Sequence, residues 1–176
     1  MTEAERNLFN ATYLKNTEYV KDIIGAASKI TKPITHELDS CIESVLHACG
    51  REHGLALSYE ELETLAIKIP ALCLYIQSKL NDYSLRCEVE ELLTNALVID
   101  TLADLQGERG DAREKMKRAE AMQLNSRIVE ALDRQVCANL KDTIVRADKV
   151  YEGIKKVLDA KMRENEYNRK SQKYTA

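Results

Sequence analysis

Apolar residues recur at helical spacing along almost the whole chain. From Leu38 they fall at positions 38, 41, 42, 45, 46 and 49, an i, i+3, i+4 stripe that predicts an amphipathic helix. Ile69, Cys73, Ile76, Leu80, Tyr83 and Cys87 step alternately by four and three. Leu85, Val89, Leu92, Ala96, Ile99 and Ala103 repeat that stepping with the phase moved by two. Both are heptad seams. A single two-helix seam keeps one phase, so two offset seams predict a helix with different neighbours along its length. Further on, Ile128, Leu132, Val136, Leu140 and Ile144 step by four, and Ala147, Tyr151, Ile154 and Leu158 by four, three and four.

The punctuation between these stripes sets the expected elements. Leu8, Phe9, Tyr13, Tyr19, Val20, Ile23, Ile24 and Ala27 give residues 3–30 a partial stripe, with a possible break at Asn16-Thr17. The stretch "TKPIT" (residues 31–35) predicts a linker, because proline disfavours helix in the residue before it. Thr35 then serves as the cap of the next helix and Gly50 as its C-terminal stop. "SYEE" (58–61) has the form of a capping box, Ser58 capping and Glu61 reaching back. Pro70 predicts a boundary or kink. Gly107 and Gly110 predict a turn that lets two long helices fold back on each other, and Asn125-Ser126 is a candidate cap beyond it. The last stretch, from Lys161, is poor in apolar residues and reads as a fraying basic tail.

Composition supports a helical reading. The chain has 176 residues with 6 glycines, 2 prolines, one Phe and no Trp, too little turn and aromatic content for a large all-β fold. The expected class is all-α: an elongated helical bundle or hairpin of long helices, forming a homo-oligomer. The organisation expected is an N-terminal helical region (1–68), a hairpin region (69–163) and a flexible basic tail (164–176). Oligomerisation is expected because an unbroken helix of ~50 residues is ~75 Å long and relies on packing for its stability. The stripe Ile128, Leu132, Val136, Leu140, Ile144, Tyr151, Ile154 and Leu158 is the candidate interface, the competing arrangement being a fold-back of this helix on residues 70–105.

No apolar run is long enough to span a bilayer, and "MTEAERNLF" lacks the basic-then-apolar pattern of a signal peptide. A cytoplasmic protein without a membrane partner is expected, in the host cytoplasm if phage-encoded. Of five cysteines, Cys41, Cys73, Cys87 and Cys137 fall on apolar stripes and read as small buried hydrophobes in a reducing compartment, while Cys49 completes the odd number.

Charge changes the picture more. The net charge of −3 hides an uneven distribution. Residues 1–110 carry 10 cationic and 18 acidic side chains, and residues 111–176 carry 16 and 11. Catalytic motifs are absent: no phosphate-cradling glycine loop, no nucleophile elbow, no HExxH. His36, His47 and His53 lack a recognisable metal-ligand spacing, and the pairs Glu60-Glu61 and Glu90-Glu91 read as solvated helix faces. The expectation is a protein that is not an enzyme and holds no cofactor and no metal.

The basic half offers a different chemistry. Arg109 lies in the glycine turn, and Arg113 and Lys117 stack on one face of the helix that follows, with Lys115 and Arg118 on another. Tyr167 and Tyr174 are interleaved with the terminal cations and are suited to stacking on bases. No base-reading motif is present, so binding would favour phosphate backbone and single strands over sequence.

"IPALCLYIQSKLNDYSLRCEVEEL", the break "GERGD", the following "EKMKRAE", and the helix pair with "ALDRQV" and "VYEGIKKVLDAKMRE" resemble the phage recombination mediators of the UvsY type over roughly residues 69–163. The resemblance implies a small, helical, oligomeric protein that binds single-stranded DNA. It also implies partnership with a recombinase and the single-strand-binding protein that the recombinase displaces. In that family a basic pair precedes the glycine-rich break; here the matching positions are Asp100 and Leu102. That departure implies that the DNA-binding charge has moved beyond the break, to Arg109, Arg113, Lys115, Lys117 and Arg118. The rival expectation is a helical scaffold or phage-encoded adaptor or inhibitor, docking through the acidic residues 1–110 without DNA.

Overall fold

The computed structural model describes the backbone of residues 3–49, 57–107 and 110–174, and side chains within 17–168 of these. The fold is all-α. Among the described residues four α-helices follow one another: α1 (Glu3–Cys49), α2 (Tyr59–Asp104), α3 (Ala112–Met122) and α4 (Leu124–Tyr174). A 3-10 turn, Leu105–Gly107, ends α2.

The start of α2 follows from its sequence. Ser58 Oγ accepts from the Glu61 N–H at 3.2 Å, and the Ser58 N–H donates to Glu61 Oε2 at 2.7 Å, which is the reciprocal capping box. The Ser58 backbone bond, then its hydroxyl, holds the Glu61 carboxyl below the usual carboxylate range. A depressed folded-state pKa stabilises above the unfolded value and is lost as pH falls through the folded one. The box therefore weakens only in acid. Replacing Ser58 with alanine is expected to cost about 1 kcal/mol in urea unfolding at neutral pH. A change near zero would mean the cap contributes nothing to the folded state.

Several expected breaks are not breaks. Residues 31–35 are not a linker, and α1 runs through Asn16-Thr17, Pro33 and Thr35 without interruption. Thr31 and Thr35 are buried, while Lys29 and Pro33 are exposed. The hydrogen bond that Pro33 cannot donate to the Lys29 carbonyl is thus lost on the solvent side, where water takes the acceptor. Packing of the opposite face through Ala27, Leu38, Ile42 and Val45 outweighs the loss. Thr35 is accordingly not an N-cap. Pro70 is likewise inside α2 and ends nothing, flanked by buried Ile69 and Ile76. The break after α3 falls at Gln123 rather than at Asn125-Ser126. The tail read as fraying is helical as far as Tyr174. Gly50 lies outside the described residues.

The chain forms two compact units, each discontinuous in sequence. One comprises residues 1–32 and 80–139, the other 33–79 and 140–176. The second unit packs three helical segments. Leu38, Cys41, Ile42 and Val45 of α1, Leu62, Ile69 and Ile76 of α2, and Leu140, Ala147 and Ile154 of α4 are its buried apolar residues. Arg146 of α4 reaches Asp39 of α1 at 3.2 Å, and Lys161 Nζ donates to the Leu57 carbonyl at 3.0 Å.

The first unit is built differently. Its buried residues on α2 and α4 include Thr94, Glu130 and Asp133 beside Leu80, Val98, Val136 and Cys137. Polar contacts join the two helices: Arg134 to Glu91 at 3.0 Å, Arg127 to Asn95 at 3.4 Å, Ser84 to Cys137 at 3.8 Å. Arg86 Nη2 lies 3.2 Å from Asp133 Oδ2, which is buried and without a directed hydrogen bond, so charge alone compensates it. A small apolar cluster of Val98, Leu105 and Ala119, with Leu102 against it, fastens α3 to the end of α2.

The candidate oligomer stripe is placed largely inside the chain. Val136, Leu140 and Ile154 are fully buried, and Ile128, Leu132, Ile144, Tyr151 and Leu158 are half-buried. A side chain already covered by its own chain has no surface for a second copy, so Val136, Leu140 and Ile154 are core positions rather than interface ones.

Candidate nucleic-acid interface

The basic residues beyond the glycine turn are carried by α3, an 11-residue helix with capped ends. Asp111 is its N-cap and accepts from the Glu114 N–H at 2.7 Å. Gly110 precedes it at φ 143°, a conformation that L side chains rarely adopt. A Cβ there would also sit 3.3 Å from Glu114 Oε2. At the other end, the Gln123 N–H donates to Glu120 O at 3.2 Å, and its side-chain amide reaches Thr101 Oγ1 at 3.4 Å. Ala119, fully buried, sets which face points inward.

That placement sorts the sequence-predicted cations. Arg113 and Lys117, four residues apart, are both exposed, and neither forms an ion pair with a described residue. Lys115 is half-buried on the side of Ala119. Arg118 is exposed and pairs with Glu114 at 3.5 Å. Arg109 lies outside the described residues. Of the five, the structure places Arg113 and Lys117 together as a free cationic edge. It separates Lys115 from them and gives Arg118 a carboxylate.

Of the other basic residues of the second half, Arg127, Arg134, Arg146, Lys155 and Lys161 are engaged, while exposed Lys141, Lys149, Lys156 and Arg163 form no ion pair with a described residue. Arg127 and Arg134 both pair with the buried Glu130, at 3.3 and 2.6 Å. Arg146 also meets Asp142 at 3.5 Å. Lys155 meets Glu152 at 3.6 Å and lies over the Tyr151 ring. Glu91 and Asp39, from the acidic first half, take Arg134 and Arg146, from the basic second half. These two pairs join the acidic first half to the basic second half within each unit. Pairs of this exposed kind contribute roughly 0–1 kcal/mol each. Sequence reasoning missed this pairing because it joins residues 43 and 107 positions apart. Tyr167 is exposed, as a stacking residue must be; Tyr174 has no described side chain.

The thiols and histidines offer other chemistry. All five cysteines are free; Cys41 and Cys137 are buried, Cys73 and Cys87 half-buried, Cys49 exposed. Cys87 and Cys137 Sγ atoms approach to 4.0 Å. Burial, then the neighbouring Cys137, pushes the Cys87 thiol up to about 11. At pH 8 it should hold on the order of a hundred-fold less thiolate than an unperturbed cysteine. Iodoacetamide mapped by mass spectrometry should therefore modify Cys49 long before Cys87; comparable rates would contradict the packing around Cys87. A pocket of about 330 Å³ between α2 and α4 of the second unit is lined by Ile69, Pro70, Cys73, Ile144, Asp148 and Tyr151. Burial, then Asp148, raises the Cys73 thiol there, making it a weak nucleophile. Among the described residues no group of three His, Cys, Asp or Glu side chains converges as a metal site. His36 and His47 are exposed, and His53 lies outside the described residues. No described helix is long and apolar enough to cross a membrane. No family model, curated protein or solved structure matches this chain.

Proposed function

We propose that this is a non-enzymatic protein that binds single-stranded DNA along the outer face of α3 and acts as a recombination mediator. In that role it would help a recombinase displace the single-strand-binding protein. The observation that carries the reading is the pair Arg113 and Lys117, exposed on a short helix whose ends and inner face are fixed. Cations on a helix already formed engage phosphates with no backbone left to order, and each neutralised phosphate releases counterions. Exposed Tyr167 is a second candidate contact, by stacking on bases. The resemblance of residues 69–163 to the mediator family supplies the biological role. Fluorescence anisotropy with a labelled oligonucleotide tests it: binding that weakens steeply with salt is expected, and no binding at micromolar protein would overturn the reading.

A scaffold or adaptor acting through protein contacts is the second reading. It is favoured by the exposure of Leu74, Leu92 and Ile67, large apolar side chains that an isolated chain gains nothing by presenting. Under that reading the oligonucleotide remains unbound at every salt concentration.

A further inference from the structure

The second heptad seam of α2 faces outward. Leu85, Val89, Leu92, Ala96, Ile99 and Ala103 are all exposed, Leu85 by 61%, Leu92 by 70% and Ile99 by 65%. The buried positions of the same segment are Cys87 in part, Thr94, Val98 and Leu105, about half a turn away round the helix. Thr94 is 0% exposed and its hydroxyl is unpaired. This stretch thus turns a threonine inward and a leucine-rich heptad seam outward. A helix that packed only within its own chain would be expected to do the reverse.

We propose that this face is a docking surface for a second copy of the chain, paired antiparallel through α2 residues 85–103. Volume and charge both select that arrangement. With the two-fold axis near position 94, Leu85 packs on the partner's Ala103, Val89 on the partner's Ile99, and Leu92 on the partner's Ala96. Each leucine meets an alanine and the two β-branched residues meet each other, so every layer has similar volume. A parallel pair would stack Ala96 on Ala96 between the Leu92 and Ile99 layers, and Ala103 on Ala103 beyond Ile99, leaving voids. Arg86, Leu93 and Asp100, spaced by seven, line one flank of the seam. Antiparallel pairing brings Arg86 opposite the partner's Asp100 twice, and Leu93 opposite the partner's Leu93. Parallel pairing instead sets Glu88 against the partner's Leu93. Arg86 keeps its contact with Asp133, since its side chain is still more than half exposed. A single seam roughly 27 Å long and one side chain or two wide covers less than the roughly 800 Å² per partner of a standard interface, so the association is weak and concentration-dependent.

Sedimentation velocity of the full chain from about 1 to about 200 µM tests this. Mass should rise from 20.0 kDa toward twice that value. Leu92→Glu should abolish the rise while circular dichroism stays unchanged. Asp100→Arg, on an exposed position, should weaken association at least tenfold by placing arginine opposite arginine, whereas Asp100→Asn should weaken it less. A monomer at every concentration overturns the proposal, as does a dimer indifferent to Leu92→Glu. A dimer unaffected or strengthened by Asp100→Arg overturns the antiparallel register.

Discussion

Leu140→Ala should lower the stability of the folded chain by about 3 kcal/mol, and the loss should be the same at every protein concentration. Leu140 is fully buried about a third of the way along α4, among the largest side chains with no exposure. Truncation removes three methyl or methylene-sized carbons from a packed site and leaves a cavity that helices on either side only partly close. Urea unfolding followed by circular dichroism reads the change directly, and a shift of midpoint with unchanged slope would confirm a native-state origin. Independence of concentration matters because the α4 stripe has two possible uses. A core leucine destabilises the monomer; an interface leucine would destabilise only the assembled form. A loss under 1 kcal/mol, or one that vanishes on dilution, would return Leu140 to an intermolecular role. Leu92→Ala provides the contrast. That exposed side chain should leave unfolding of the dilute protein within about 0.5 kcal/mol of the parent.

Reversing Arg113 and Lys117 together to glutamate should weaken single-stranded DNA binding by about a hundredfold at low salt. Each lost phosphate contact on a single strand removes ~0.7 from the slope of log affinity against log salt. The double substitution should therefore flatten that slope by about 1.4. It also adds two repulsive carboxylates. Folding should survive, because both positions are exposed and the helix keeps Asp111 as its cap and Ala119 in the apolar cluster. Arg118→Ala should have a smaller effect, since its guanidinium is already shared with Glu114. Unchanged affinity in the double variant would remove α3 from the interface, whatever the protein does with DNA elsewhere.

Local signals were the legible part of this fold. The Ser58–Glu61 capping box depends on residues within one turn and stands as read, and the first seam of α2 is buried at Ile69, Ile76 and Leu80 and half-buried at Cys73, Tyr83 and Cys87, whereas Gly110 is followed by an 11-residue helix rather than a long one. The prolines misled because their effect depends on which side of a helix they occupy. Pro33 faces solvent, and the packing opposite it is invisible to a rule about adjacent residues. The α4 stripe was ambiguous in another way, with Val136, Leu140 and Ile154 buried in the chain and its other members half-buried. Periodicity locates a face that must be covered but does not say whether the cover comes from the same chain. The split of the cationic cluster into Arg113 with Lys117 and Lys115 with Arg118 was legible from helical spacing; which of the two faces points inward, beside Ala119, and that Arg118 meets Glu114 were not.

The interleaving of the two units bears on how the chain reaches this fold. Each unit takes part of α1, part of α2 and part of α4, so the first is complete only once residue 139 has been made and the second only once the rest of α4 follows. Contacts such as Arg146 with Asp39 and Lys161 with the Leu57 carbonyl close over more than a hundred residues of chain. High contact order of this kind slows the search for native pairings and postpones cooperative folding to the last part of synthesis. Until then α1 and α2 emerge from the ribosome with both their inner and outer apolar stripes uncovered. Loss of residues 140–176 would therefore remove the second unit's share of α4 and leave the first unit's share in place.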